Sequence, residues 1–549
     1  MSHRFFLIGF LCISVAWGQL STFPRPSYFR ETFARPVTRV ELKGPVRLQD
    51  YVVGGKLELS LRSYLELVMA NNTDIAYQRL SVSIAQHAIT RAFAPFDPNL
   101  LATFSSQRSK TPSNDLLAGA QTLSTLSQPA NFRYTQLLPT GTQYNVSFAG
   151  TKQTSNSGFT NFNPALNASL SFNFSQPLLR NRGAYVNKLP IMVARSRLRG
   201  AEYSLYDTVM RLLTDAENAY WNVVFARENL KVQQSGLELA DTALKRSQLE
   251  LKLGALSPLE IYQPQQNYAT AEIAVSQAQY ALQQQEDALR KQIGADLDPD
   301  IRKLPIVLTE TVLPPSDAAP IDPEAAVAKA LANRPDLKAA YQNLDVDDLT
   351  IKSAHNQLKP DFALTGTYTT QGRGGVFYQR KNVFSDTGAQ STVTTIIPGG
   401  FGDALDQLFG FGYPIYAFGL QLRLPLRNRQ AAADLADAMV QKRRDALAAR
   451  SLEQQVRLDV LQAVSQVESS KAAVKLAAIA VDFAQKRREA EQKRYDLGTS
   501  QMFFVLQAQT DLITAQSTLV RQSINYRQNL LNLLRRTGEL LEQRGIALQ

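Results

Sequence analysis

A short turn built around glycine occurs twice in this sequence, and its two copies fix the layout of the whole chain. Shifting the sequence by 244 positions places Gly254 on Gly498 and Gln265 on Gln509, and the flanking apolar residues fall into the same register. Such self-similarity is typical of an internal duplication. Any fold for this chain must therefore contain two similar units, each interrupted by a glycine turn.

The longest helical patterns lie directly before the two turns. Apolar residues recur every seven positions from Val209 to Leu251, and again from Val460 to Val481. Seven-residue spacing kept up over this length predicts coiled-coil packing rather than a globular core helix. Both long helices should measure about 100 Å, and shorter helices of about 55 Å should stack end to end along each of them.

Before each long helix the pattern changes to a period of two. Segments such as Leu166–Phe174 and Phe362–Thr369 alternate apolar with small polar residues, which predicts strands. The connections at 109–130 and 371–417 are rich in Gly, Ser, Thr and Asn and are expected to be loops. A turn at Leu138–Thr142 occurs only in the first copy, so whether that copy has two or four strands stays open.

The boundaries follow from these changes of period and from the chain's N-terminal sequence. An apolar run from Phe5 to Ala16 before small residues predicts a signal peptide. The predicted layout is a signal peptide at 1–18, an extended segment at 19–56, repeat 1 at 57–294, a linker at 295–320, repeat 2 at 321–541 and a tail at 542–549. Within repeat 1 we predict a helix at 57–95, strands at 98–177, a long helix at 189–253 and a helix at 257–294. Within repeat 2 we predict a helix at 323–358, strands at 360–425, a long helix at 429–497 and a helix at 501–540.

Composition argues against several classes of function. The only cysteine, Cys12, lies in the predicted signal peptide, which agrees with export to an oxidising compartment and excludes cysteine chemistry in the mature chain. The net charge of +11 comes from basic residues interleaved with Glu and Gln, which favours solvated helix faces over nucleic-acid binding. His3, His87 and His355 are scattered, and no phosphate loop follows a strand, so we expect neither an enzyme nor a cofactor.

The strands carry any membrane contact. Beyond the signal peptide no apolar run reaches about 18 residues, whereas alternating strands of about 10 residues suit a transmembrane β-barrel, although they suit a soluble sandwich as well. One chain supplies four clear strands, or six with an additional hairpin in the first copy, and known membrane barrels need at least about eight. We therefore expect several copies to close one barrel; three copies would give twelve strands and twelve helical columns.

The sequence resembles the TolC-like outer-membrane factor (outer membrane efflux protein) family from Leu57 to about Leu540. The resemblance is carried by paired motifs in the right order: Tyr495–Gly498, Leu251–Gly254, Val505–Gln509, Ala219–Trp221 and Gln176–Leu178. It implies an α+β membrane protein, internally duplicated, in which a trimeric transmembrane β-barrel is continued by a long coiled-coil α-barrel. The implied protein is the outer-membrane channel of a tripartite export system.

The resemblance also implies partners and a location. A homotrimer in outer-membrane lipid, in a Gram-negative-type bacterium, would extend its helices into the periplasm. There it would contact a periplasmic adaptor (membrane fusion protein) and, through that adaptor, an inner-membrane transporter. A periplasmic coiled-coil adaptor or structural scaffold is the alternative, although it leaves the duplicated strands unexplained. Drug efflux, metal efflux and protein secretion would leave nearly the same signature.

By position, two groups of site residues follow from the resemblance. Adaptor docking falls on the turns: Leu253, Gly254, Ala255, Leu497, Gly498 and Thr499. A periplasmic constriction falls just beside them: Glu260, Gln263, Tyr495, Phe504 and Gln507.

The constriction departs from the family's best-known member. There an Asp after the first turn is tied by an Arg and a Tyr, and a pair of Asp residues rings the pore. Here Glu260 and Tyr495 match the Asp and the Tyr, but Ser500 replaces the Arg, and Phe504 occupies a ring position. We expect an apolar constriction at Phe504 backed by a hydrogen bond between Glu260 and Tyr495. In the alternative interpretation, Phe503 and Phe504 simply pack between helices.

Overall fold

The computed structural model describes residues 44–113, 120–158, 160–254, 257–311, 321–381 and 392–546. The predicted signal peptide at 1–18, the first part of the extended segment at 19–56, Ala255 and the last residues of the tail lie outside these ranges. Within them the chain is an α+β structure in which strands and long helices alternate twice.

Helices make up most of the described chain. Those longer than two turns are α1 (Leu61–Asn71), α2 (Thr73–Ala92), α3 (Leu189–Lys252), α4 (Tyr262–Gln292), α5 (Pro323–Asn333), α6 (Pro335–Gln357), α7 (Phe401–Phe409), α8 (Arg429–Asp496) and α9 (Met502–Thr537). The long helices α3 and α8 contain 64 and 68 residues, which corresponds to about 96 and about 102 Å.

The strands form two sheets. They are β1 (Val52–Val53), β2 (Lys56–Leu59), β3 (Asn99–Phe104), β4 (Gln107–Pro112), β5 (Thr122–Leu137), β6 (Gln143–Ser155), β7 (Phe162–Pro177), β8 (Ile306–Leu308), β9 (Asp361–Lys381), β10 (Thr392–Ile397) and β11 (Pro414–Arg423). In the small sheet, β2 pairs antiparallel with β1 and parallel with β8. The other eight strands form the large sheet, which is antiparallel throughout.

The eight strands of the large sheet occupy six positions across it, which we call columns; a column is either one strand or two strands that lie end to end beside the same neighbour. Its centre runs β5, β6, β7, β9; β3 and β4 share the outer edge of β5, and β10 and β11 share the outer edge of β9. Repeat 1 therefore supplies four columns and repeat 2 supplies two, because the turn at 138–142 joins an additional hairpin of β5 and β6 that repeat 2 lacks.

Each long helix has different neighbours in its two halves. Near the large sheet, α3 contacts α2 and α6, and α6 contacts α8. Toward the glycine turns, α3 contacts α4 and α9, and α9 contacts α8. The helices thus form a slab that is four helices wide at both levels, with shorter helices completing each half of a long one.

Two hydrophobic clusters lie halfway along α3 and α8, where the shorter helices meet; we call them together the mid-length belt. Around α3 they include Val209 and Tyr220, and around α8 they include Val460 and Val467. The rings of Tyr220 and Tyr64 are 5.5 Å apart, and both side chains are fully buried. Burial of these side chains holds the shorter helices against the long ones.

An ion pair with a buried carboxylate lies beside the belt. Glu217 is only 2% exposed, and its carboxylate accepts hydrogen bonds from Arg544 Nε at 3.0 Å, from Arg544 Nη2 at 2.5 Å and from Trp221 Nε1 at 3.3 Å. Burial raises the pKa of Glu217, although the Arg544 guanidinium opposes that shift. The pair ties the C-terminal part of the chain to the centre of α3.

The first helix of each repeat differs from its predicted bounds. The helix predicted at 57–95 begins only after β2, because the alternating segment at 56–59 pairs with β8, in the predicted linker at 295–320. It is then broken at Asn72, whose Oδ1 accepts hydrogen bonds from the next backbone amides and caps α2. The helix predicted at 323–358 breaks in the same place, before Pro335, which lacks an amide proton to continue the helix.

The connections expected as loops at 109–130 and 371–417 are largely ordered elements. β5 begins at 122, β9 continues to 381, and the second connection contains α7. Helix α7 lies against β9 because glycine leaves room for it. A Cβ on Gly372 would lie 1.9 Å from the carbonyl oxygen of Ala404, and one on Gly374 would lie 2.1 Å from that of Gly400. The helix therefore packs directly on the sheet backbone.

Among the described helices, none combines the length and the apolar character needed to cross a bilayer.

The contact between α7 and β9 gives a stability prediction. Gly372→Ala should lower the unfolding temperature of the purified protein in detergent by several degrees, because a methyl group forced against backbone atoms costs about 1–3 kcal/mol. Gly402→Ala is the matched control, since Gly402 lies on α7 with no atom within 4 Å of an added Cβ. Equal unfolding temperatures for the two variants would contradict the close contact.

Candidate functional sites at the two ends of the molecule

The ends of α3 and α8 that lie farthest from the large sheet are side by side; we call this region the mouth. Gly254 and Gly498 have φ angles of 77° and 78°, a left-handed conformation that favours glycine. Each glycine amide donates to a carbonyl three residues earlier, at 3.1 and 2.9 Å. The two helices therefore end in matching caps, and the duplication seen in the sequence is present in the backbone.

The predicted docking residues on the turns are open to solvent. Leu253 is 74% exposed and Leu497 is 79% exposed, and nothing lies within 4 Å of a Cβ built on either glycine. Thr499 donates through Oγ1 to the Arg494 carbonyl at 3.0 Å, which fixes the second turn. Ala255 lies outside the described residues. Each turn thus presents one large apolar side chain beside accessible backbone.

A network of polar side chains joins α3 to α8 just inside the turns. Arg246 donates to Glu250 on its own helix at 3.0 Å and to Asp496 on α8 at 2.7 Å. Tyr495 donates through its hydroxyl to Glu250 at 2.5 Å. The Arg246 guanidinium also lies over the Tyr495 ring, 4.7 Å from its centre. Two residues of each long helix therefore hold the helix ends together.

The surroundings of this network set the charge of its members. Partial burial and the Glu250 carboxylate raise the pKa of Tyr495 to about 12. Because this folded-state pKa is raised, the stabilisation by the tyrosine hydroxyl is complete below about pH 10 and is lost as pH rises toward 12. Hydrogen bonds from Arg246 and Gln492 hold the pKa of Asp496 below its usual range. At neutral pH Tyr495 is therefore a donor and Asp496 an anion.

The hydrogen bond expected between Glu260 and Tyr495 is replaced by the bond to Glu250. Glu250 lies on the last turn of α3, which faces α8, whereas Glu260 lies beyond the turn, because the helix predicted at 257–294 starts only at Tyr262. Glu260 instead lines a cleft of about 570 Å³ beside the network, together with Gln263. The sequence interpretation missed Arg246, Glu250 and Asp496; the spacing of Arg246 and Glu250 on one helix face was the available signal.

The remaining constriction residues lie on the first turns of α9. Phe503 and Phe504 are each about half exposed, and their rings meet edge to face, 5.5 Å apart. Gln507 donates to Asp511 at 3.0 Å. Ser500, at the position of the missing arginine, donates to Glu491 at 3.0 Å. Two aromatic rings are therefore available at the mouth.

At the opposite end of the molecule, the two faces of the large sheet differ in polarity. One row of paired residues crosses all six columns on one face: Leu100, Tyr134, Val146, Phe172, Tyr368 and Tyr416. The row one residue away, on the other face, is Asn99, Thr135, Asn145, Asn173, Thr367 and Ala417. Successive strand residues point to opposite faces, so at this level of the sheet one face is apolar and the other is polar.

Such a sheet suits the boundary between lipid and water. Apolar side chains on one face of a sheet that alternate with polar side chains on the other are typical of transmembrane strands. Among the described residues, no cluster of three or more His, Cys, Asp or Glu side chains could hold a metal ion.

Comparison with known proteins gives the same assignment. A model of the outer membrane efflux protein family matches residues 64–295 and 326–539, once in each repeat. The outer membrane efflux protein BepC of Brucella suis is 22% identical over 505 residues, which cover 90% of this chain and 89% of that protein.

Solved structures share the fold. A membrane protein from Pseudomonas aeruginosa superposes with a TM-score of 0.62 at 17% identity, covering 92% of this chain and 98% of its own. The outer membrane protein VceC from Vibrio cholerae superposes with a TM-score of 0.58 at 17% identity, covering 87% and 96%. Since the family match covers most of both repeats, the chain belongs to the outer membrane efflux protein family, and it is an outer-membrane channel for efflux rather than an enzyme or a periplasmic adaptor.

Proposed function

We propose that three copies of this chain form one continuous duct. Their large sheets close a barrel in the outer membrane, and their helical slabs form an α-barrel of twelve columns in the periplasm. The observation that carries this proposal is the large sheet, in which a row of paired residues is apolar on one face and polar on the other, and whose two edges have no partner strand among the described residues. Unpaired backbone groups at those edges are prohibitively costly in lipid, so copies of the chain must pair with each other there.

We propose that the mouth is the docking end of the duct. A periplasmic adaptor, joined to an inner-membrane transporter, contacts the exposed turns at Leu253 and Leu497. Both leucines are more than 70% exposed, and each glycine beside them leaves space for close approach of another backbone. Solutes or proteins then pass from the transporter through the mouth to the exterior.

The network at the mouth supports a closed resting state. Hydrogen bonds hold the ends of α3 and α8 together within each copy; they join Arg246, Glu250, Tyr495 and Asp496. The distance between these two helix ends is thereby kept small. We propose that Phe504 and Gln507, with Glu260 and Gln263, line the constriction that results. Opening then requires the contacts between α3 and α8 to break.

Fractionation tests the proposed assembly. The protein should be recovered from detergent-extracted outer membranes as an oligomer of three chains that heating in detergent dissociates. Recovery as a soluble periplasmic monomer would contradict the duct.

Tyr495→Phe tests the network that holds the mouth closed. Loss of one hydrogen bond to a half-buried carboxylate should cost about 1 kcal/mol, so amide hydrogen exchange at the ends of α3 and α8 should rise about fivefold. The control is Tyr280→Phe, because Tyr280 is 66% exposed on α4. Exchange that rises equally in both variants, or in neither, would argue against the network.

Phe504→Ala tests the constriction. If the ring of Phe504 narrows the pore, its removal should raise the single-channel conductance in planar bilayers. Phe503→Ala provides the comparison, because Phe503 lies on the same helical turn and lines the cleft beside the network. Unchanged conductance in Phe504→Ala would show that the two rings only pack between helices.

A further inference from the structure

The chain crosses the large sheet six times. It leaves the helices at Asn99, runs outward along β3 and β4, returns along β5, runs outward again along β6 and returns along β7. Repeat 2 adds one outward column, β9, and one returning column made of β10 and β11. Both repeats thus start and finish at the helical end, and every neighbouring pair of columns is antiparallel.

The two outer columns differ from the inner ones in burial. All residues of β3, β4, β10 and β11 are exposed, whereas most residues of β5, β6, β7 and β9 are at least partly covered. Each outer column is paired on the side toward the sheet, and among the described residues no strand pairs with its other side. Both sides of the sheet therefore offer a free row of backbone donors and acceptors.

We propose, on the basis of the trimeric channel proposed above, that the barrel has eighteen strands rather than the twelve expected from the sequence. The outer column β3/β4 of one copy pairs with the outer column β10/β11 of the next. β3 runs outward and β11 returns, so this new pair is antiparallel like all the others in the sheet. With six columns in each of three copies, closure leaves no edge.

The faces of the sheet fit this closure. The apolar row from Leu100 to Tyr416 and the polar row from Asn99 to Ala417 both reach the outer columns on both sides. Pairing between copies therefore continues each of these two rows around the whole barrel. Because the diameter of a barrel grows roughly linearly with strand number, the lumen has a circumference about half as large again as that of a twelve-stranded barrel.

Disulfide crosslinking in native outer membranes tests which columns meet. The only cysteine, Cys12, lies in the predicted signal peptide, so introduced cysteines are the only thiols expected in the mature chain. Thr103→Cys on β3 is combined with Ala417→Cys or Gln421→Cys on β11, since all three positions lie on the polar face. We expect at least one pair to give covalent dimers and trimers on non-reducing gels.

Two further pairs make the result decisive. Thr103→Cys with Asn131→Cys should crosslink within one copy, because these residues are partners between β3 and β5, and it shows that the oxidant reaches this face. Ser147→Cys on β6 with Gln421→Cys joins copies only if the barrel uses four columns per chain, from β6 to β11.

The outcomes separate the two proposals. Crosslinks between copies from Thr103→Cys support eighteen strands. Crosslinks between copies from Ser147→Cys would overturn the eighteen-stranded barrel. A heat-sensitive trimer that gives no crosslinks between copies from Thr103→Cys would overturn it as well. Both outcomes would leave the channel proposal standing. Absence of any trimer in the outer membrane would overturn both.

Discussion

The rest of the structure depends on the packing of shorter helices against the middle of two helices that are each about 100 Å long. In proteins, most of the stability of a helix comes from tertiary packing of its apolar face. In this chain the fully buried side chains concentrate at the mid-length belt, around Tyr220 on α3 and Val460 on α8. Packing at the centre leaves both ends of the slab available, one for the large sheet and one for the mouth.

The two repeats are alike where helices pack and different where strands pair. An additional helix in one repeat would have no half of a long helix to pack against, because four helices already lie side by side at each level. A hairpin added to a sheet only widens it by two antiparallel columns. Repeat 1 contains such a hairpin, formed by β5 and β6. In repeat 2, helix α7 instead packs on β9 at Gly372 and Gly374.

Local patterns predicted the parts of the molecule that depend on local physics. The period of seven, the period of two and the glycines at 254 and 498 each follow from the geometry of one element. The pairing of β2 with β8 and the bond from Tyr495 to Glu250 join residues about 250 positions apart, and their partners are chosen by tertiary packing. For the same reason, the sequence interpretation paired Tyr495 with Glu260 and missed Arg246, Glu250 and Asp496.

The ion pair between Glu217 and Arg544 joins residues 327 positions apart. A carboxylate buried at this depth without its partner would be costly. The pair therefore fastens the segment around Arg544 to the middle of α3, and loss of Arg544 would leave the Glu217 carboxylate beside the hydrophobic cluster without its ion-pair partner.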